Sequence, residues 1–494
     1  MSIRRSGILL HITSLPGSEG IGTLGNEAFR FVDFLKETGQ KLWQILPLGP
    51  AGSGNSPYQC FSAFAGNPML IDLALLAEDG LLGNSDLENI PKFSQKHTDF
   101  NKVEKWKLPL LRLSFQNYKT KRLSKFADDY WRFLDEHNWW LTDHALFMSV
   151  RKHFGGLEWN KWEREVKFRY PEALQELSVQ LKDEIDFQKY LQFMFFRQWR
   201  RLKAYANKSD VEIIGDVPLY VSGDSSDLWA NTDIFMLDAD LNPTKVGGVP
   251  PDYFSETGQL WGNPVFDWQR LQEREYDWWV ARIHFNLRMF DLVRIDHFRG
   301  LESFWAIPSD EKTAVNGSWL PAHGRELLQM LQGQLGHLSF IAEDLGIITP
   351  EVDRLREEFQ LPGMKVLQFA FTTDAGNKDL PHNYEKNCVV YTGTHDNNTT
   401  LGWLNELEIE EKKTVADYTG EPVSEKLNVI VEMAVASVAD TAIIPMQDVL
   451  AHGSKSRMNT PGTATGNWTW RFQWGQLKAG QKKFLKDITV KYNR

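Results

Sequence analysis

The chain has 494 residues, 24% of them charged and 42% hydrophobic, with a formal net charge of −10. That balance belongs to folded globular chains and excludes disordered or fibrous classes; with only Cys60 and Cys388 it also excludes a disulfide scaffold or a structural zinc site. The acidic surplus argues against a nucleic-acid surface, because the longest basic cluster, Arg197, Arg200, Arg201 and Lys203, reads as one face of a helix.

Near the N-terminus, Arg4 and Arg5 precede an apolar stretch of only four residues, 7–10, too short for a secretory signal, so a cytoplasmic location is expected. Residues 7–12 read as a strand, 26–38 as a helix ending at Gly39, and 42–46 as a second strand. This βαβ opening predicts a parallel sheet. Between about 73 and 182 the pattern becomes charged, Trp-rich and helix-like, without strand alternation, and we read it as a helical insertion packed on the main domain. A long amphipathic helix at 183–206, with Phe187, Tyr190, Leu191, Met194 and Phe195 on one face, leads into an apolar strand at 211–214. Further strands are expected at 292–295, 339–342, 366–371 and 389–392, each preceded by helix-like sequence. The best apolar run, 433–446, is broken by Asp440 and Pro445, so no membrane span is expected.

These spacings predict an α/β fold, a (β/α)8 TIM barrel with helical and loop insertions and no separate C-terminal β domain. The barrel would be built from residues 1–72 and 183–494, with 73–182 as the insertion. A GxGxxG pattern at Gly20, Gly22 and Gly25 resembles a dinucleotide-binding turn, but Pro16, Gly17, Ser18 and Glu19 separate it from the strand. The following strand ends in Leu46, Pro47 and Leu48 rather than an acidic residue, so the glycines read as structural or substrate-facing.

The informative residues are carboxylates at the ends of apolar runs. Asp216 follows VEIIG, Asp296 ends DLVRID, Glu343 follows SFIA, and Asp396 follows VVYTGTH. In a parallel barrel these ends gather at one face, so four distant chain positions can converge there. Arg294 and Asp296 are two apart and point to the same side. A guanidinium beside a carboxylate holds it below its usual range, which predicts an ionised Asp296 fit to act as a nucleophile. Glu343, approached through Phe340 and Ile341, is the carboxyl that desolvation would keep protonated, while Asp344 faces away. One ionised and one protonated carboxyl are the minimum for cleaving a glycosidic bond with retention. His395 and Asp396 would hold sugar hydroxyls and stabilise an oxocarbenium-like charge.

These residues lie in motifs that resemble the 4-α-glucanotransferases of glycoside hydrolase family 77, amylomaltases or disproportionating enzymes, within the α-amylase superfamily. GDVPLYV, RIDHFRG, IAEDLG and YTGTHDNNTT look like its four signature regions in order, and residues 247–264 are similar to the active-site loop peculiar to amylomaltases. The resemblance runs the length of the chain, from HITSLPGSEGIGTLG to RMNTPGTATGNWTWR. It implies Asp296 as nucleophile, Glu343 as acid/base and Asp396 as the transition-state carboxylate. Asp216, Arg294, His297 and His395 would surround the sugar before the scissile bond. Ser56 and Tyr58, the loop residues Asp252, Tyr253, Gln259 and Trp261, and Asn459, with Asn467 close by, look like sugar-contacting positions. Tyr253, Phe254 and Trp261 would stack on acceptor rings and exclude water. The expected substrates are α-1,4-glucans, namely maltooligosaccharides, starch and glycogen, together with glucose. No cofactor, metal, nucleic acid or membrane partner is implied, and the chain would be a monomer or weak homodimer. The acidic cluster from Asp224 to Asp227 reads as a turn. Two other readings share these residues: an α-amylase-like retaining hydrolase, and a catalytically silent glucan-binding protein, which would not need all three carboxylates.

Overall fold

A computed structural model of the chain describes residues 4–121, 124–251, 255–372, 374–420 and 426–494. Eight parallel strands close into a barrel: β1 (Arg5–Leu9), β2 (Leu42–Gln44), β3 (Glu212–Val217), β6 (Leu292–Ile295), β9 (Phe340–Ala342), β10 (Gly363–Val366), β11 (Cys388–Tyr391) and β12 (Thr441–Pro445). Their order around the barrel is β1-β12-β11-β10-β9-β6-β3-β2, closed by β1 pairing with both β12 and β2. Strands buried on both faces read as continuous apolar runs, which is why most were visible in the sequence. The opening helix, Asn26–Thr38, ends where Gly39 adopts a left-handed φ of 78°, and it lays Phe31 against Trp43 of β2 at 4.8 Å between ring centres.

Two strand expectations need correction. The strand expected at 366–371 is β10, ending at Val366, followed by a 3-10 turn, Leu367–Phe369. The eighth strand, β12, was not foreseen. It is fused in sequence with the helix Lys426–Ala436, and no Gly or Pro separates the two apolar stretches.

A second sheet was missed altogether. Strands β4 (Lys245–Val249), β5 (Gln259–Pro264), β7 (Ser303–Pro308) and β8 (Ser318–Pro321) form it in the order β5-β4-β7-β8, with antiparallel neighbours. Its small core holds Val246, Ile307 and Ala314. The stretch read as a loop at 247–264 is therefore largely a hairpin, β4 with β5. Its glycines and prolines hide the strand pattern, and the pairing with β7 spans more than fifty residues of chain. Asp252, Tyr253 and Phe254 lie outside the described residues.

Between β2 and β3 the chain is helical, including Phe100–Lys121, Ser124–His153 and Lys182–Lys208. Lys107 in the first of these pairs with Glu19 at 2.5 Å in a buried contact and donates to the Met69 carbonyl at 2.8 Å. The glycines of the GxGxxG pattern pack tightly. A Cβ on Gly22 would overlap the carbonyl oxygen of Ile12, and one on Gly20, whose φ is +79°, would strike the Phe93 ring. After β12 the described residues form helices, among them Ala479–Lys491, and no further strand.

Candidate active site

At the C-terminal mouth of the barrel, β3, β6 and β9 deliver Asp216, Asp296 and Glu343, and the segment after β11 delivers His395 and Asp396. Arg294 ties the first two carboxylates together: its Nη1 lies 2.9 Å from Asp296 Oδ1 and donates to both oxygens of Asp216 at 2.8 and 2.9 Å. The Tyr58 hydroxyl adds a third hydrogen bond to Asp216 at 2.7 Å. The Asp216 side chain is 0% exposed behind these donors. Its oxygens are taken up by the Tyr58 and Arg294 donors.

Glu343 is fixed from two sides. The backbone N–H of His297 donates to its Oε2 at 2.7 Å and that of Leu345 to its Oε1 at 3.0 Å. His297 follows Asp296 directly, so the nucleophile candidate and the acid candidate share one peptide. His297 has a left-handed φ of 54°, which turns its N–H onto Glu343. Asp344 faces away as expected, accepting the Met364 N–H at 2.7 Å and pairing with Arg356 at 3.3 Å.

Burial pushes Glu343 up to about 7, against the opposing pull of Arg294 and with Asp296 adding to the rise. Asp296 is also raised, to about 6, by burial and by Asp216, while Arg294 pulls it down. The expected depression of Asp296 is thus overturned, because desolvation outweighs the guanidinium. The two carboxyls titrate as a pair, and the ordering follows from geometry: Asp296 keeps an ion pair and 28% side-chain exposure, whereas Glu343 has backbone donors only.

Asp396 is 46% exposed and stands where His395 Nε2 approaches its Oδ1 at 3.4 Å and Asn459 Nδ2 donates to it at 2.6 Å. Asn467 instead accepts the Thr460 N–H at 2.9 Å, so it shapes its own loop while Asn459 reaches the site. Tyr58 stacks on His395, with centroids 5.2 Å apart and planes at 14°. Trp261 meets His297 edge-on at 4.8 Å and donates through Nε1 to Gln259 Oε1 at 3.1 Å. Ser56 Oγ accepts the Tyr58 N–H at 3.3 Å. Burial lowers His297 to about 3, so its ring is neutral, and its Nε2 has no hydrogen-bond partner among the described residues.

A profile described as 4-alpha-glucanotransferase matches residues 10–478. The 4-alpha-glucanotransferase of Synechocystis sp. is 48% identical over 99% of this chain and 98% of its own. The chain belongs to the 4-alpha-glucanotransferase family. The Thermus thermophilus member is likewise 48% identical, over 96% of each chain. The amylomaltase of Streptococcus agalactiae, solved in complex with acarbose, superposes with a TM-score of 0.96 at 42% identity, covering 99% of both chains. The activity of this protein is accordingly 4-α-glucanotransfer, and its barrel is the amylomaltase barrel.

Some neighbours of this glucanotransferase site were not singled out in the sequence. Trp468 packs 5.9 Å from both Tyr58 and His395, and Arg457 donates to the Asp396 carbonyl at 2.6 Å. Both belong to the RMNTPGTATGNW stretch, where only Asn459 and Asn467 had drawn attention. The acidic cluster proves tied down rather than open: Asp224 pairs with Arg151 at 3.0 Å, and Asp227, inside a short helix rather than a turn, accepts the Ala63 N–H at 2.8 Å.

Proposed function

We propose that the transfer proceeds by retaining double displacement, with Asp296 as nucleophile, Glu343 as acid/base and Asp396 as the carboxylate that stabilises the transition state. The observation that carries this reading is the single-peptide junction, in which Glu343 accepts the N–H of the residue that follows Asp296. A glucan donor lies across the barrel mouth. Asp296 attacks the anomeric carbon as Glu343 passes its proton to the departing glycosidic oxygen, leaving a β-glycosyl ester. Glu343, now ionised, takes the proton from the 4-hydroxyl of an incoming sugar. That oxygen bonds to the anomeric carbon, the ester breaks, and the α-1,4 linkage is restored with Asp296 free. Asp396, held by Asn459 and His395, faces the positive charge that develops in both steps. Arg294 and Tyr58 grip the sugar preceding the scissile bond, and neutral His297, its buried Nε2 without a hydrogen-bond partner among the described residues, stands beside them.

Water competes with the acceptor. At about 55 M against an acceptor near 50 μM, parity requires roughly 8 kcal/mol of discrimination. We assign that task to residues 247–264: Trp261 and, outside the described residues, Tyr253 and Phe254 would stack on acceptor rings and exclude water, with Asp252 and Gln259 as further sugar-contacting positions. Donors are maltooligosaccharides, starch or glycogen, and glucose is an acceptor; the acarbose complex of the S. agalactiae amylomaltase supports an oligosaccharide in this cleft. The same reading takes the insertion as residues 73–182, the protein as a cytoplasmic monomer or weak homodimer, and the reaction as cofactor-free. Two free thiols suit a reducing compartment, and no helix among the described residues is long and apolar enough to cross a membrane.

Incubation with maltotriose tests the proposal. Glucose together with a ladder of longer maltooligosaccharides is the expected product set, whereas maltose and glucose with rising reducing ends would favour an amylase-like hydrolase. Deleting residues 252–254 should raise the ratio of hydrolysis to transfer, and an unchanged ratio would remove this segment from the account.

A further inference from the structure

Asp396 is nearly half exposed, so its position depends on the segment that carries it and on Asn459 and Arg457, which bond its Oδ1 and its carbonyl. That segment runs from Thr392, immediately after β11, to Thr400, which opens the helix Thr400–Glu406. Both ends are fully buried and both are tied to one side chain. Asp448, in the short helix Met446–Val449 that follows β12, accepts the Thr392 hydroxyl at 2.6 Å and the Thr400 hydroxyl at 2.6 Å on Oδ2. Its Oδ1 accepts the Thr400 N–H at 2.8 Å.

We propose that Asp448 is a positioning residue for glucan transfer: by clamping both ends of the 392–400 segment it sets where Asp396 and His395 stand over the sugar. The inference rests on the role given to Asp396 above. It is distinct from that role, because Asp448 is 3% exposed and reaches the sugar only through the segment it holds.

Three features support a clamp rather than an incidental buried polar group. First, a carboxylate buried in a barrel wall is costly unless its lone pairs are used, and here three donors use them with no Lys or Arg within ion-pair distance among the described residues. An apolar residue at 448 would spare that cost, so the carboxyl does something packing alone would not. Second, the partners are the first and last residues of the catalytic segment, so one group fixes both its ends. Third, the interior of the segment is bonded to itself: Asn397 Oδ1 accepts the Thr394 N–H at 2.9 Å and hydroxyl at 2.8 Å, and Thr394 Oγ1 accepts the Asp396 N–H at 3.2 Å. A segment stiff inside and pinned at its ends moves as a body. Releasing the pins leaves Asp396 and His395 held from the Arg457 and Asn459 side only, so the two shift together, and a displacement of about 1 Å at a reacting centre costs on the order of 100-fold in rate.

The test measures kcat and KM for wild type, Asp448→Ala, Asp396→Asn and the double variant, with α-maltosyl fluoride as donor and glucose as acceptor. We expect Asp448→Ala to lose about 100-fold in kcat with KM within about threefold, and to cost the Asp396→Asn enzyme no more than about threefold further, because the clamp acts through Asp396. Equal losses in the two backgrounds, or an Asp448→Ala enzyme with wild-type kcat, would overturn the inference. If Asp448→Ala does not fold, Thr392→Val and Thr400→Val together remove the two hydroxyl donors and are read by the same criteria. Failure of wild type itself to transfer would instead count against the mechanism above, so the two failures are distinguishable.

Discussion

Asp296 and Glu343 differ in what surrounds their oxygens, and the proposed division into an attacking group and an acid rests on that difference. Asp296 pairs directly with the Arg294 guanidinium at 2.9 Å, whereas Glu343 feels that guanidinium without pairing with it and accepts hydrogen bonds from two peptide N–H groups. The consequence is a bell-shaped profile of kcat/KM against pH. Activity should rise as Asp296 loses its proton near pH 6 and fall as Glu343 loses its own near pH 7, so the optimum lies between the two. A steady-state series from pH 4 to 9 checks this, and a rate that holds level from pH 7 to 9 would contradict a protonated Glu343. Asp296→Asn should keep glucan binding measurable by calorimetry while lowering kcat by about four orders of magnitude or more; substantial turnover would reject its assignment as nucleophile. At this scale the sequence was legible in one respect and opaque in another. The two-residue spacing of Arg294 and Asp296 predicts their contact, because alternate residues of a strand share a face. The sign of the Asp296 shift depends on burial by chain segments remote in sequence, and no local pattern carries it. The full burial of Asp216 was hidden for the same reason.

Among the elements, the barrel strands declared themselves where turns or helices bounded them, and β12 escaped because its apolar run continues that of the preceding helix. The four-stranded sheet escaped because strand pairs such as β4 with β7 exist only by long-range contact, and Gly247 and Gly248 weaken any local strand signal. Those glycines have a use. A Cβ on Gly248 would overlap the backbone carbonyl of Gln259 on the neighbouring strand, which cannot move without opening the hairpin. Gly248→Ala should therefore shift Gln259 and Trp261 and lower the transfer rate about 10-fold. The main core should stay intact, since this sheet has a separate small core. Thermal unfolding within about 2 °C of wild type, together with the loss of transfer, is the expected pair of results; full transfer activity would show that the hairpin register does not matter.

For the whole molecule, the helices between β2 and β3 are joined to the barrel by the contact of Lys107 with Glu19, buried at the GxGxxG segment. The sequence showed both residues but not their meeting, which depends on how an insertion folds back over eighty residues of chain. Burial raises the Glu19 carboxyl and Lys107 opposes that rise, so removing the ammonium leaves a carboxyl without its compensation. Lys107→Met should destabilise the protein by about 3–5 kcal/mol, read as a lower denaturant midpoint; an unchanged midpoint would mean this contact does not hold the helices on the barrel.

In the proposed mechanism Asp296 becomes covalently bonded to the sugar during transfer. The direct measurement uses Glu343→Gln, which lacks the base that would free the intermediate, and α-maltosyl fluoride, whose leaving group needs no acid. After incubation, digestion and mass spectrometry, a maltosyl mass on the peptide that contains Asp296 is the predicted result. A maltosyl group on any other carboxylate, with Asp296 unmodified, would contradict the account.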